Sequence, residues 1–383
     1  MLRTLEADRI RSAALTAQIL DLEKSLSALR LEHAEVQSRL DSYKYPVLTL
    51  PTESVSKIFL HVPSPYPGVP SLIETRSLAS LTCVCRKWRD IALSIPSLWR
   101  AINLFNQDTP LQQRAHICDL WLKRSRSCSL SIEFNGIGGG VLAISKIIEL
   151  IAPHRPRLKH LKLFVNNLDV CAFYWQGTMP VLHHLDLDVL CFSSELVSFG
   201  GLPLLRSVVL NGVASQSVRL PWAQLTSLVL HKVTLEAFIP ILSQTSNLLH
   251  CELHLRNPVF DSDGVATVPF LESLVLKAQQ DDHPAFEYLK FFITPALSNL
   301  TIPERFLGLE PLRSLTDFIP KSGGKLRDVC ITGRKLVPKN LYREALQSVP
   351  RLSFSQREFS GRAGEDDLEL ESDYDSSVAA NTD

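Results

Sequence analysis

One arrangement recurs from Leu158 to Ile331: an apolar residue, two others, an apolar residue, one other, an apolar residue. It reads Leu158-Leu161-Leu163, Leu182-Leu185-Leu187, Leu205-Val208-Leu210 and Leu225-Leu228-Leu230. It continues as Leu248-Cys251-Leu253, Leu271-Leu274-Leu276, Leu297-Leu300-Ile302 and Leu326-Val329-Ile331. Successive units begin 24, 23, 20, 23, 23, 26 and 29 residues apart. Chance supplies one or two such matches, not eight at near-constant spacing. Each unit offers a short strand whose alternate side chains point inward, followed by a return segment that must cover them. A single unit cannot bury its own apolar side, so neighbours have to stack into a solenoid.

The period and pattern resemble leucine-rich repeats. Return segments Leu235 to Leu242, Ala285 to Phe292 and Leu312 to Ile319 carry helical apolar spacing. The asparagine that usually follows the strand is present at Asn166 but replaced by Leu190 and Val213 in the next slots. Irregular turns are therefore expected. Pleat alternation sends the residues between the buried positions to the opposite, concave side. The candidate partner-reading residues there are His160, Lys162, His184, Asp186, Asp188, His231, His250, Glu252 and His254. This mixed surface suits a protein partner better than a phosphate backbone. The alternative is an ordinary solvated sheet face whose ligand binds elsewhere.

Residues 1–45 read as a helix free of Pro and Gly. Leu15, Ile19, Leu22, Leu26, Leu29, Val36, Leu40 and Tyr43 follow a heptad rhythm, with His33 in the remaining slot. Two readings stand: a coiled-coil dimer through residues 1–43, or a long helix folded against its own chain. Tyr45-Pro46 ends it.

Residues 46–104 form a separate small helical module. Pro51 and Glu53 open a helix at positions where a missing N–H costs nothing and a carboxylate meets the positive helix end. After a Pro-rich loop, a second helix carries Leu78, Leu81, Val84, Cys85 and Trp88, extended by Ile91 and Ala92, and Pro96 to Arg100 closes the unit. Leu50-Pro51-x-Glu53-x-Val55-x-x-Ile58-Phe59, Leu78-x-x-Leu81-x-x-Val84-Cys85-Arg86-x-Trp88-Arg89-x-Ile91-Ala92 and Pro96-x-Leu98-Trp99 together resemble the F-box. The long loop from His61 to Ser77 departs from the usual short connection. The layout of heptad helix, F-box, Trp121 to Ser127 before a strand, and irregular repeats is similar to F-box proteins abundant in mushroom-forming fungi.

That resemblance implies docking on Skp1 through Leu50, Pro51, Glu53, Val55, Ile58, Phe59, Leu81, Val84, Cys85, Trp88 and Trp99. Which of these face Skp1 and which fill the module is not readable from sequence. It further implies a substrate-recognition subunit of a Skp1–cullin–F-box ubiquitin ligase, with an unknown protein target on the repeats and no catalysis on this chain. A scaffold that binds Skp1 without a cullin is the alternative. A plain repeat protein whose helical module caps the solenoid is the third reading.

The remaining features narrow the function class. Forty Lys plus Arg balance forty Asp plus Glu, which removes the bulk charge that drives sequence-blind nucleic-acid binding. No apolar run approaches the ~18 residues of a membrane span. A cytoplasmic or nuclear location is expected. Eight scattered cysteines without a C-x-x-C pair read as reduced, mostly buried thiols. Gly136-Ile137-Gly138-Gly139-Gly140 lacks the Lys and Ser/Thr of a P-loop and reads as a strand-to-helix turn. His250 and His254 lie on a strand, ~13 Å apart at ~3.3 Å per residue, too far to share one metal. Cys83 and Cys85 point to different faces of a helix. No cofactor and no metal are expected.

The fold class is thus α+β and multi-domain: a heptad helix (1–45), an all-helical F-box (46–104), and a helical linker with the first strand–helix unit (105–157). An irregular α/β solenoid (158–355) follows. An acidic tail (356–383) closes the chain, expected to be disordered because Glu365 to Asp375 accumulate carboxylates with little apolar content.

Overall fold

The computed structural model describes residues 2–43, 49–63, 65–68, 78–105, 110–169, 172–256, 264–279, 285–334 and 336–356. The Tyr45-Pro46 stop, Cys171, much of the 61–77 loop and the acidic tail lie outside the described residues. Helix α1 (Leu2–Ser42) runs for 41 residues, and every residue from Thr4 to Tyr43 is exposed. The heptad leucines are exposed with the rest.

Three short helices make the next module: α2 (Thr52–Leu60), α3 (Leu78–Val84) and α4 (Arg86–Ser94), closed by a 3-10 turn over Pro96–Trp99. The single second helix expected from sequence is in fact two. Cys85 breaks it by adopting φ −158° and ψ 169°, and its Sγ accepts from the Trp88 N–H at 3.4 Å. The thiol thus caps α4, using one of the N–H groups that a helix start leaves unpaired. Lys87 Nζ donates to the Leu50 carbonyl at 3.2 Å and ties α4 to the start of α2.

Among the described residues fifteen strands follow: β1 (Ala101–Leu104), β2 (Leu130–Asn135), β3 (Leu158–Val165), β4 (His184–Val189), β5 (Val197–Ser198), β6 (Ser207–Asn211), β7 (Val218–Arg219) and β8 (Ser227–Val233). The rest are β9 (His250–Leu255), β10 (Ala266–Thr267), β11 (Ser273–Ala278), β12 (Phe292–Ile293), β13 (Asn299–Pro303), β14 (Asp328–Thr332) and β15 (Arg351–Ser355). Eleven of them form one sheet, ordered β1-β2-β3-β4-β6-β8-β9-β11-β13-β14-β15. Its neighbours are all parallel. The small pairs β5/β7 and β10/β12 lie among the return segments. Residues 101–104, placed by the sequence reading in an all-helical module, are the sheet's first strand, because Ile102 and Leu104 alternate with Asn103 and complete the apolar row of β2.

In-register pairing aligns Leu161, Leu185, Val208, Leu228, Cys251, Leu274, Leu300 and Val329 in one buried row. The return segments cover it. They include α5 (Leu111–Arg124), α6 (Val141–Ile151), α7 (Gly212–Ser217), α8 (Leu235–Leu242), α9 (Pro311–Phe318) and α10 (Lys339–Ala345). The helix expected over Ala285 to Phe292 reduces to a 3-10 turn at Leu289–Phe291. There Phe286 and Tyr288 donate their N–H groups to the Arg305 and Phe306 carbonyls, and Phe292 joins β12 and stacks on Phe238 at 5.8 Å. Cross-segment bonds replace the i→i−4 ladder.

Two buried charges lock irregular connections. Arg114 donates to the carbonyls of Leu104 (3.2 Å) and Asn135 (2.6 Å), pinning α5 to the ends of β1 and β2. Glu304 accepts from the Leu336 and Val337 N–H groups and from the Tyr342 hydroxyl at 2.7 Å. That clasp fastens the loop before α10, and it pushes the Tyr342 phenol upward along with burial. Glu304→Leu should therefore lower unfolding free energy by about 2–4 kcal/mol, since it strands three donors. Glu310→Ala, on an exposed pair with Arg313, should move it by less than ~0.5 kcal/mol. Urea unfolding followed by tryptophan fluorescence measures both.

Candidate protein-interaction site

Two surfaces answer to the residues singled out in the sequence. The first is the outside of the helical module. Val55, Phe59, Leu81 and Trp99 are buried there together with Leu78, Ile91, Ala92 and Leu98. So small a unit has nothing else to fill it, and these four of the expected docking residues point inward. Within the module Trp99 donates Nε1–H to the Ala92 carbonyl at 3.0 Å, and its ring meets Trp121 of α5 edge-on at 5.3 Å. Trp88 is half-buried against Phe59, with ring centroids 5.0 Å apart. Cys85 is half-buried as the cap, and Leu50 is half-buried against the core. Pro51 and Glu53 are exposed, while Ile58 and Val84 keep 50% and 60% of their surface in solvent. Leu60 and Cys83, outside the expected docking set, are exposed on the same helices.

The second surface is the open face of the large sheet. Strand register brings His160, His184, Ser207, Ser227, His250 and Ser273 into one row, and Lys162, Asp186, Val209, Val229, Glu252 and Val275 into the next. The third row holds Asp188, His231, His254 and Lys277. The nine candidate residues therefore share one face. They are not equally free. Lys162 reaches Asp186 at 3.3 Å, and His184 Nδ1 lies 3.0 Å from the Ser207 hydroxyl. Burial, with His184, Lys159 and His183 nearby, drives the His160 imidazole down to about 4, and burial also lowers His184.

Glu252 is the best-held group on this face. Its Oε1 accepts from His254 Nε2 at 2.6 Å and from Lys277 Nζ at 2.7 Å, while the His231 ring meets His254 at 4.3 Å. The bond from His254 and then that from Lys277 hold the carboxyl down to about 2 against the opposing effect of burial. His254 is thus spent on Glu252, and His250 stands exposed at the other end of the strand. Among the described residues no cluster of three or more His, Cys, Asp or Glu is placed to hold a metal. No described helix is long and apolar enough to cross a membrane.

Sequence reasoning missed the bridging role of Asn211, which donates to Asp188 Oδ1 and the Val189 carbonyl (both 2.6 Å) and caps α7 by accepting from the Ala214 N–H at 2.8 Å. The signal was available: an Asn-Gly pair at the end of an apolar strand. It also missed Tyr66 and Phe105, whose positions depend on contacts far apart in the chain.

Comparison with known proteins adds three findings. Residues 47–104 match the F-box-like family model, so the chain carries an F-box-like domain there. Among solved structures, one chain of the yeast Rad7–Elc1 complex is similar at 13% identity and a TM-score of 0.38, covering 87% of this chain and 98% of that one. Comparison with curated proteins finds no match.

A carboxyl lowered on folding contributes stability above its unfolded value and loses it as pH falls through its folded value. For Glu252 the window runs from about 4.5 down to about 2. The stability gap between wild type and Glu252→Gln should therefore be about 2 kcal/mol at pH 6 and should close progressively below pH 4.5. Urea titrations at stepped pH read the gap.

Proposed function

We propose that this protein is an adaptor of a Skp1–cullin–F-box ubiquitin ligase. Its F-box-like domain docks on a Skp1-type protein, and the open sheet face holds the target. The observation that carries the reading is the match of residues 47–104 to the F-box-like model on a module that leaves Ile58 and Val84 in solvent while its core is sealed. On this reading Pro51, Ile58 and Val84 form the contact, with Leu50 and Trp88 backing it, and Val55, Phe59, Leu81 and Trp99 supply the scaffold. The mechanism is proximity: target lysines held near a charged ubiquitin carrier react at raised effective concentration. No chemistry is required of this chain, and the complex would work in cytoplasm or nucleus. A scaffold that binds the Skp1-type protein without a cullin is separated from the ligase reading by co-purification of the cullin.

Self-association through α1 belongs to the same proposal, because its heptad seam lies fully exposed and an isolated apolar stripe in water lacks the partner a heptad requires. Deleting residues 1–43 should halve the mass in sedimentation equilibrium and leave Skp1 capture unchanged; a full-length chain already monomeric would remove this part.

Ile58→Asp and Val84→Asp should each weaken capture of purified Skp1 by about a hundredfold, the loss typical of a central apolar contact. Circular dichroism should stay unchanged, since neither side chain fills the core. Wild-type affinity in both variants would overturn the docking assignment.

A further inference from the structure

Two described residues of the Pro-rich loop inside the F-box-like domain reach the sheet. Tyr66 and Pro67 lie on the open face of the large sheet, on residues that sit far away in the chain. The Ser131 hydroxyl of β2 donates to the Pro67 carbonyl at 2.9 Å. The Tyr66 ring meets His160 of β3 edge-on, with centroids 5.5 Å apart and planes at 79°. The Arg100 guanidinium lies 4.0 Å over the same ring, and Lys159 Nζ approaches it to 5.9 Å. Two cations and an imidazole edge thus surround one aromatic ring, an arrangement favoured by the ring's negative face.

The other end of the same strands is covered too. Phe105, just past β1, stacks on Phe164 at the end of β3 with centroids 6.1 Å apart and planes 11° apart. Lys162 lies 5.7 Å over the Phe105 ring, and the Phe105 N–H is held by Asn103 Oδ1 at 2.8 Å. Between these two covers, β1 to β3 have Ser131 and Asn135 buried on the face that is open further along the sheet. The middle row stays partly exposed on these strands, through Glu133 and Lys162, as it does further along through Asp186, Val209, Val229, Glu252 and Val275.

We propose that the Tyr66–Pro67 turn is a built-in ligand of the open face: it covers the Ser131 and His160 positions of β2 and β3, and it withholds them from the surface a partner can read. The second half of this statement rests on the target-binding reading above, and the first half does not. His160 then serves the chain's own assembly, and the Lys162–Asp186 pair stays in the readable surface.

Histidine carbethoxylation of the free, full-length chain, mapped by mass spectrometry, tests the seal without any partner, so its outcome is independent of Skp1 or target capture. In the wild type His160 should react far more slowly than the exposed His250. Tyr66→Ala should speed labelling of His160 by about tenfold, the factor expected from losing the ring's aromatic and cation–π contacts. His250 should keep its rate, and His254 should stay slow, showing that the sheet remains intact. Tyr66→Phe keeps the ring and should label like the wild type. Wild-type His160 reacting as fast as His250, or a Tyr66→Ala variant with unchanged His160 labelling, would overturn the proposal, as would Tyr66→Phe behaving like Tyr66→Ala.

Discussion

A parallel strand buries its apolar row only when neighbours on both sides extend that row, and this constraint organises most of the molecule. Leu185 is sealed because Leu161 and Val208 flank it in register, and Cys251 because Leu228 and Leu274 do. No single unit could hold its fold alone. Register has a second effect. Once alternate residues are committed to the buried row, the intervening ones align on the other side whatever their chemistry. The open face is therefore a by-product of burial, and selection can write on it with little cost to the core. Valines at 209, 229 and 275 and charges at 186 and 252 occupy equivalent places in one row.

The same logic explains what could be read from the sequence. Each apolar triplet supplied its strand because the period-2 alternation is local and every repeat presents it again. Helix α8 was legible for a similar reason, with Leu235, Phe238, Ile239 and Leu242 on one helical side. The segment from Ala285 was not, since Phe286 and Tyr288 bond to residues near 305 and no local pattern announces that. In the F-box-like domain the apolar spacing identified the module but could not divide it into inside and outside. Val55 and Ile58 differ by three positions and both read as helix-face residues, yet one is buried and the other half-exposed. That choice is made by where α4 packs. The split at Cys85 was hidden because a cysteine is a rare cap and fits a helix equally well by composition.

Contacts between distant segments account for the rest. Arg114, Glu304 and Tyr66 each act on residues at least ten positions away, and the ring of Tyr66 meets His160, which stands 94 residues on. A buried cation or carboxylate in an apolar stretch looks like a flaw from sequence. In the fold each satisfies main-chain groups at an irregular turn, which is what a solenoid lacking its regular asparagines needs. Asn211 fills that role at one turn, and Glu304 fills it near the end of the sheet with a charge-assisted clasp.

Charge on the open face is arranged in the same self-contained way. Asp186 is met by Lys162, Glu252 by Lys277 and His254, and Asp328 by Arg351. A face built from such pairs projects little net field, in keeping with a chain whose cations and anions balance. Long-range steering by bulk charge is then a small contribution to any association here. On the target-binding reading proposed above, discrimination has to come at contact, where a partner either matches the contour left by the small serines and valines or must supply substitutes for bonds that Glu252 already makes. A misfit that separates Glu252 from Lys277 leaves a desolvated carboxylate unpaired, which costs more than the surface pair itself contributes. On that same target-binding reading, the pairs act mainly by rejecting wrong partners, and the uncharged strip between them is where attraction is available.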